Sequence, residues 1–111
     1  MTQQEELIYG LGRRCMKAHK YVGDLDVDSF VEDEKTLDAV SYCIETIAEI
    51  AQKLIKFDEI CKKYKNINFA ELVKIKEKCF VGDNINIGLI YKLAKEDFLK
   101  IYVLLNKEKI R

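Results

Sequence analysis

A bundle of α-helices is the fold class this sequence predicts, and three observations predict it. No proline occurs among the 111 residues, so nothing removes a helical amide or crowds the preceding turn. Leu, Ile, Ala, Glu and Lys are abundant, a mix that favours helix. Apolar residues recur at steps of three and four, with no stretch of strict alternation. The expected architecture is all-α: an up-and-down bundle of four to five helices forming a single domain over residues 1–111.

The first helix is expected from about Glu5 to Val22, where Leu7, Leu11, Cys15, Ala18 and Val22 form one face. Gly10 and Gly12 weaken it by about 1 kcal/mol each relative to Ala, and Gly23 stands where a helix stop is expected. Asp28 or Ser29 can cap a short lead-in turn through Phe30 and Val31. The acids Glu32, Asp33 and Glu34 suit the positive end of the next helix. That helix has the strongest pattern in the chain, since Leu37, Val40, Ile44, Ile47, Ala51 and Leu54 alternate steps of three and four. A basic segment with Lys62, Lys63 and Lys65 leads to a turn at Asn66, then to a short helix from Asn68 to about Cys79. Val81-Gly82-Asp83-Asn84 reads as a loop. From Asn86, the residues Ile90, Ala94, Phe98, Ile101 and Leu105 mark a last long helix, with a frayed charged tail at Lys107 to Arg111. Tyr42, Tyr91 and Tyr102 read as packing residues of long helices.

Nineteen basic residues balance nineteen acidic ones, which removes the simplest argument for a general nucleic-acid or membrane-surface binder. The charge is nevertheless uneven. From Asp24 to Asp38 there are seven acids against Lys35, and from Lys62 to Lys78 six lysines against Glu71 and Glu77. Lys62, Lys63, Lys65, Lys74, Lys76 and Lys78, with Tyr64 and Phe69 interleaved, form either a solvated face or a strip that attracts RNA phosphate.

Cys15, Cys43, Cys61 and Cys79 are far apart and His19 is the only imidazole, so no metal site and no cofactor are expected. Cys15 and His19 share a helical face, but two ligands without carboxylate neighbours seldom hold a metal. Glu45 and Glu49 also share a face, yet the Glu-x-x-His motifs of a di-iron bundle are missing. The polar, acidic start of the sequence and the lack of an apolar run of about 20 residues point to a cytoplasmic protein without a membrane partner. Its cysteines are then expected to be reduced.

The stretch Phe30-Val-Glu-Asp-Glu-Lys-Thr-Leu-Asp-Ala-Val40, with Ile47-Ala-Glu-Ile-Ala-Gln-Lys-Leu54 after it, resembles the signature of the HepT-like branch of the HEPN superfamily. Ile67-Asn-Phe-Ala-Glu-Leu72 resembles that family's entry into its short helix, with Phe69 in place of a tryptophan. Leu89-Ile-Tyr-Lys-Leu-Ala-Lys-Glu-Asp97 resembles its closing segment. The likeness runs from about Ile8 to Leu105. It implies a HEPN-like helical protomer that forms a homodimer and pairs with a small nucleotidyltransferase of the MNT type, as the toxin half of a toxin-antitoxin module.

Active members of the family are metal-independent ribonucleases. The resemblance places their motif, an arginine followed by a histidine and a tyrosine, between the short helix and the last one. An imidazole can move a proton from a ribose hydroxyl near neutral pH, and an arginine can hold the scissile phosphate in a bidentate grip. Here Lys76, Val81 and Asp83 stand at those positions. Lysine keeps the charge without the planar fork, and valine cannot transfer a proton. The motif is degenerate, which favours a dimeric binding partner over an enzyme.

Arg14, His19 and Tyr21 repeat the same spacing near the end of the first helix. On a continuous helix Arg14 and His19 lie about 140° apart and His19 and Tyr21 about 160° apart. An active ribonuclease using these three, or Arg13 from a dimer mate, is one alternative. A non-specific RNA binder acting through the lysine strip is the other.

Overall fold

The protein is described as a computed structural model over residues 1–109. Its elements in chain order are α1 (Gln3–Val22), α2 (Val27–Glu32), α3 (Glu34–Leu54), α4 (Asp58–Lys63), α5 (Phe69–Cys79), β1 (Phe80–Val81), β2 (Asn84–Ile85), α6 (Ile87–Lys92), a π-helical turn (Leu93–Asp97) and α7 (Phe98–Lys109). The helical backbone is unbroken from α6 through the π-turn into α7, and these three segments form one rod.

The starts of these helices follow from side chains that satisfy the orphan amides of a first turn. Thr2 and Glu5 form a capping box on α1. Asp26 accepts from the Ser29 amide at 2.8 Å and Asp33 from the Thr36 amide at 3.1 Å, opening α2 and α3. Asn68 and Asn86 do the same for α5 and α6. The cap of α2 is therefore Asp26, two residues before the expected Asp28, and the lead-in turn is a full short helix. The chain leaves α1 at Gly23, whose φ of 52° is disfavoured for any residue with a Cβ.

Packing places α1 at the centre. Gly10 lies against Ile50 and Arg14 against Tyr42, so α1 and α3 run antiparallel. Gly12 lies against Leu105 and His19 reaches Ala94, so α1 is also antiparallel to the rod. The expected up-and-down arrangement holds for these three long elements. All five apolar seam positions expected of α3 from Val40 to Leu54 are fully buried: Val40, Ile44, Ile47, Ala51 and Leu54. They join Leu11, Cys15, Ala18, Val22, Phe30, Ile90, Ala94 and Phe98 in one core cluster. Burial pushes the Cys15 thiol far up and the Cys79 thiol up to about 11, as expected of inert packing cysteines.

Three features depart from the expectation. Residues Asp58–Lys63 form the additional short helix α4. The segment expected as a loop is a tight antiparallel hairpin, with Phe80 paired to Ile85 and Val81 to Asn84. Gly82, at a φ of 61°, supplies the positive dihedral that a two-residue hairpin turn needs. The last helix carries a π-turn. Of the expected charged tail, α7 continues through Lys109, and Ile110 and Arg111 lie outside the described residues.

Two stability predictions follow from this packing. A Cβ at Gly10 or at Gly12 would meet its nearest neighbour at 3.5 Å, an ordinary contact. Gly10→Ala and Gly12→Ala should therefore each raise the unfolding free energy by about 0.5–1 kcal/mol, read from urea denaturation midpoints. Asp26 and Asp33 are held below their ordinary 3.8 by the amides of Ser29 and Thr36. A lowered folded pKa gives stability that is present above the unfolded value and is lost as pH falls through the folded one. The urea midpoint should thus hold down to about pH 4 and then fall, less steeply in an Asp26→Asn/Asp33→Asn variant.

Candidate functional site

Lys76, Val81 and Asp83, the positions that the resemblance sets against the family motif, sit where α5 hands over to the hairpin. Lys76 is in the last turn of α5, Val81 is 62% exposed on β1, and Asp83 is in the hairpin turn. The surface at this place carries one ammonium, one aliphatic side chain and one carboxylate, all in solvent. A carboxylate and an ammonium can attract ions here, but there is no imidazole to relay a proton.

Arg14, His19 and Tyr21 are not brought together. The Arg14 guanidinium lies 5.2 Å from the centroid of the Tyr42 ring, on the α3 side of α1. Its charge, with that of Lys17, opposes the upward push that burial exerts on Cys43. His19 faces the rod, and its Nδ1 lies 3.0 Å from the carbonyl oxygen of Ala94. Because a carbonyl only accepts, Nδ1 carries the proton and Nε2 is the acceptor of the neutral ring. Tyr21 points outward and is 44% exposed.

The π-turn explains why Ala94 receives this bond. In a regular α-helix the Phe98 amide would donate to Ala94, whereas here it donates to Leu93. The Ala94 carbonyl is freed from that partner and His19 takes it up. Two more side chains of the rod tie down the end of α1: the Tyr91 hydroxyl donates to the Leu25 carbonyl at 2.7 Å, and Lys95 Nζ donates to the carbonyl of Gly23. Tyr91 also packs on the buried Phe30 ring, 5.5 Å between centroids. His19, Tyr91 and Lys95 thus act as a polar clasp between the α1–α2 turn and the rod.

The six lysines are all exposed, but they do not line up. Lys74 and Lys78 are one turn apart on α5, and Lys78 approaches Glu71 at 3.9 Å. Lys76 lies about 200° round the helix from Lys74, on the other flank. Lys62 is on α4 and Lys65 just beyond it. Lys63 sits over the Tyr64 ring at 5.5 Å and faces a groove along α1.

That groove has a volume of about 550 Å³. One outward face of α1 forms its length, with α4 on one bank and the C-terminal half of α7 on the other. Ile8, Met16, Ile60 and Leu105 give it an apolar floor, and Arg13, Lys17, Lys20 and Lys63 give it a cationic rim. Glu5 is the one acid lining it. This face lies outside the buried apolar seam of α1. Its signal was present in Tyr9, Arg13, Lys17 and Lys20, spaced by fours and threes.

Among the described residues no group of three His, Cys, Asp or Glu side chains is placed to hold a metal ion, and no helix is long and apolar enough to cross a membrane. No family model, no curated protein and no solved structure matches the chain.

The clasp generates a prediction of its own. His19→Ala leaves the Ala94 carbonyl without its imidazole donor, and should lower the unfolding free energy by about 1–2 kcal/mol. Loosening confined to the α1–α2 turn and the π-turn should appear as faster amide hydrogen exchange there. Unchanged stability and exchange would contradict the clasp.

Proposed function

We propose that the chain is a HepT-like binding protein. It acts as a homodimer paired with an MNT-type nucleotidyltransferase in a toxin-antitoxin module, and does not itself cleave RNA. The observation that carries this reading is the exposed Val81 on the hairpin between α5 and α6, where the HepT-like motif has its proton-transferring histidine. Two further facts support it. The stretches that carry the resemblance form α2, α3, α5 and the α6 end of the rod, in the order the family would need. The single imidazole holds Ala94, and the neighbouring guanidinium is drawn away to Tyr42.

A relocated nuclease would need His19 Nε2 and an arginine on one phosphate. Arg14 is held over the α3 side of α1, and Arg13 lines the groove. The binding reading asks nothing of this kind, since a helical protomer of this type works through its surfaces.

Two measurements test the proposal. Co-expressed with a nucleotidyltransferase of the MNT type, the chain should co-purify with it as a stable complex of dimeric chain and partner. In a metal-free assay, the purified chain and its His19→Ala variant should both leave RNA intact. Separation of the two proteins on a sizing column, or cleavage by the chain that disappears with His19, would overturn the reading.

A further inference from the structure

The groove along α1 combines an apolar floor with a cationic rim. Its lining residues on α1 run along one face from Glu5 to Lys20, with Met1 just ahead of the helix. Fifteen residue steps of helix extend about 22 Å, so the groove is a trough about four helical turns long. Ile60 and Leu105, both nearly buried, form its floor together with Ile8 and Met16. Arg13, Lys17 and Lys20 follow one another along its edge at spacings of four and three, and Lys63 stands on the opposite bank.

We propose that this groove docks an acidic amphipathic helix of a partner protein. An apolar floor takes the i, i+3, i+4, i+7 anchors of such a helix. Arg13, Lys17 and Lys20 then meet acids placed at the same spacing along its flank, because two α-helices share one repeat. Met1 and Met16 add unbranched, polarisable contacts that adapt to anchors of different shape. Single-stranded RNA fits less well. Stacking platforms present open aromatic faces in series, whereas the floor here is aliphatic, Tyr64 is only 7% exposed beneath Lys63, Tyr102 is half-buried, and Tyr9 is the one exposed ring of the three. The inference deepens the proposed function by naming what the partner presents, and rests on it only for the existence of a protein partner.

The test uses a lysine-free synthetic peptide of about 18 residues, long enough to span the trough. It carries Leu on one face and Glu along the flanks, and its binding to the intact chain is followed by fluorescence anisotropy. Arg13→Glu/Lys17→Glu changes two side chains at the surface and should weaken binding by at least about tenfold. A peptide with Lys in place of the flanking Glu should recover binding to that variant and not to the wild-type chain. Equal binding of the acidic peptide by both proteins would overturn the docking mode. So would binding of oligouridylate in place of the peptide, lost in the double variant, since the groove would then be an RNA site. Self-association of the chain alone that the double variant abolishes would assign the groove to a second copy, against the proposal. Nucleotidyltransferase association that survives the double reversal, with no peptide binding, would sink this inference and leave the proposed function standing. Peptide binding without any nucleotidyltransferase association would do the reverse.

Discussion

Everything in this molecule is arranged around the burial of α1 between two antiparallel rods. Leu11, Cys15, Ala18 and Val22 are almost completely removed from water, and each such apolar side chain gains on the order of 1–3 kcal/mol by the transfer. The two glycines of α1 face these neighbours, Gly10 beside Ile50 of α3 and Gly12 beside Leu105 of α7, with room for a methyl group at each. A helix packed on both sides has one face left over, and in α1 that face is the floor and rim of the groove.

The second consequence is topological. A central helix that must hand the chain to α2 and α3 ends in a sharp turn at Gly23, where the last carbonyls of α1 lack helical partners. The rod supplies donors to this region: Lys95 to Gly23 and Tyr91 to Leu25, while His19 of α1 donates back to Ala94. A cation at the carboxyl end of a helix is also favoured by the helix dipole. The π-turn makes the exchange possible by shifting the Phe98 amide onto Leu93. The imidazole, the residue with the most catalytic potential in the chain, is in this way part of the scaffold.

Charge shows the same division between local and tertiary causes. The acids between Asp24 and Asp38 act locally, since Asp26 and Asp33 cap the helices that follow them. The cations of the groove are brought together by the packing of α4 on α1. Arg13, Lys17 and Lys20 come from one face of α1, and Lys63 of α4 stands across from them. The lysine strip that is continuous along the sequence is scattered in space, because successive positions on α5 face opposite flanks. Zero net charge is therefore compatible with a strongly cationic trough.

What the sequence determined is what local physics controls. The seam of α3, the stop at Gly23, the short helix from Asn68 and the long helices at either end were legible, because apolar periodicity and capping side chains act over a few residues. Only the tertiary structure decided the rest. It set the π-turn, for which Ile90, Ala94 and Phe98 at steps of four were the sole hint, since a register shift is fixed by what packs on both sides of it. It paired Val81 with Asn84, because a two-residue ladder carries no period to read. It sent Arg14 to Tyr42 and His19 to Ala94, and gathered a rim from α1 and α4. Those outcomes depend on which helix faces meet across the core, and contacts between residues far apart in the chain leave no mark on the spacing of either one.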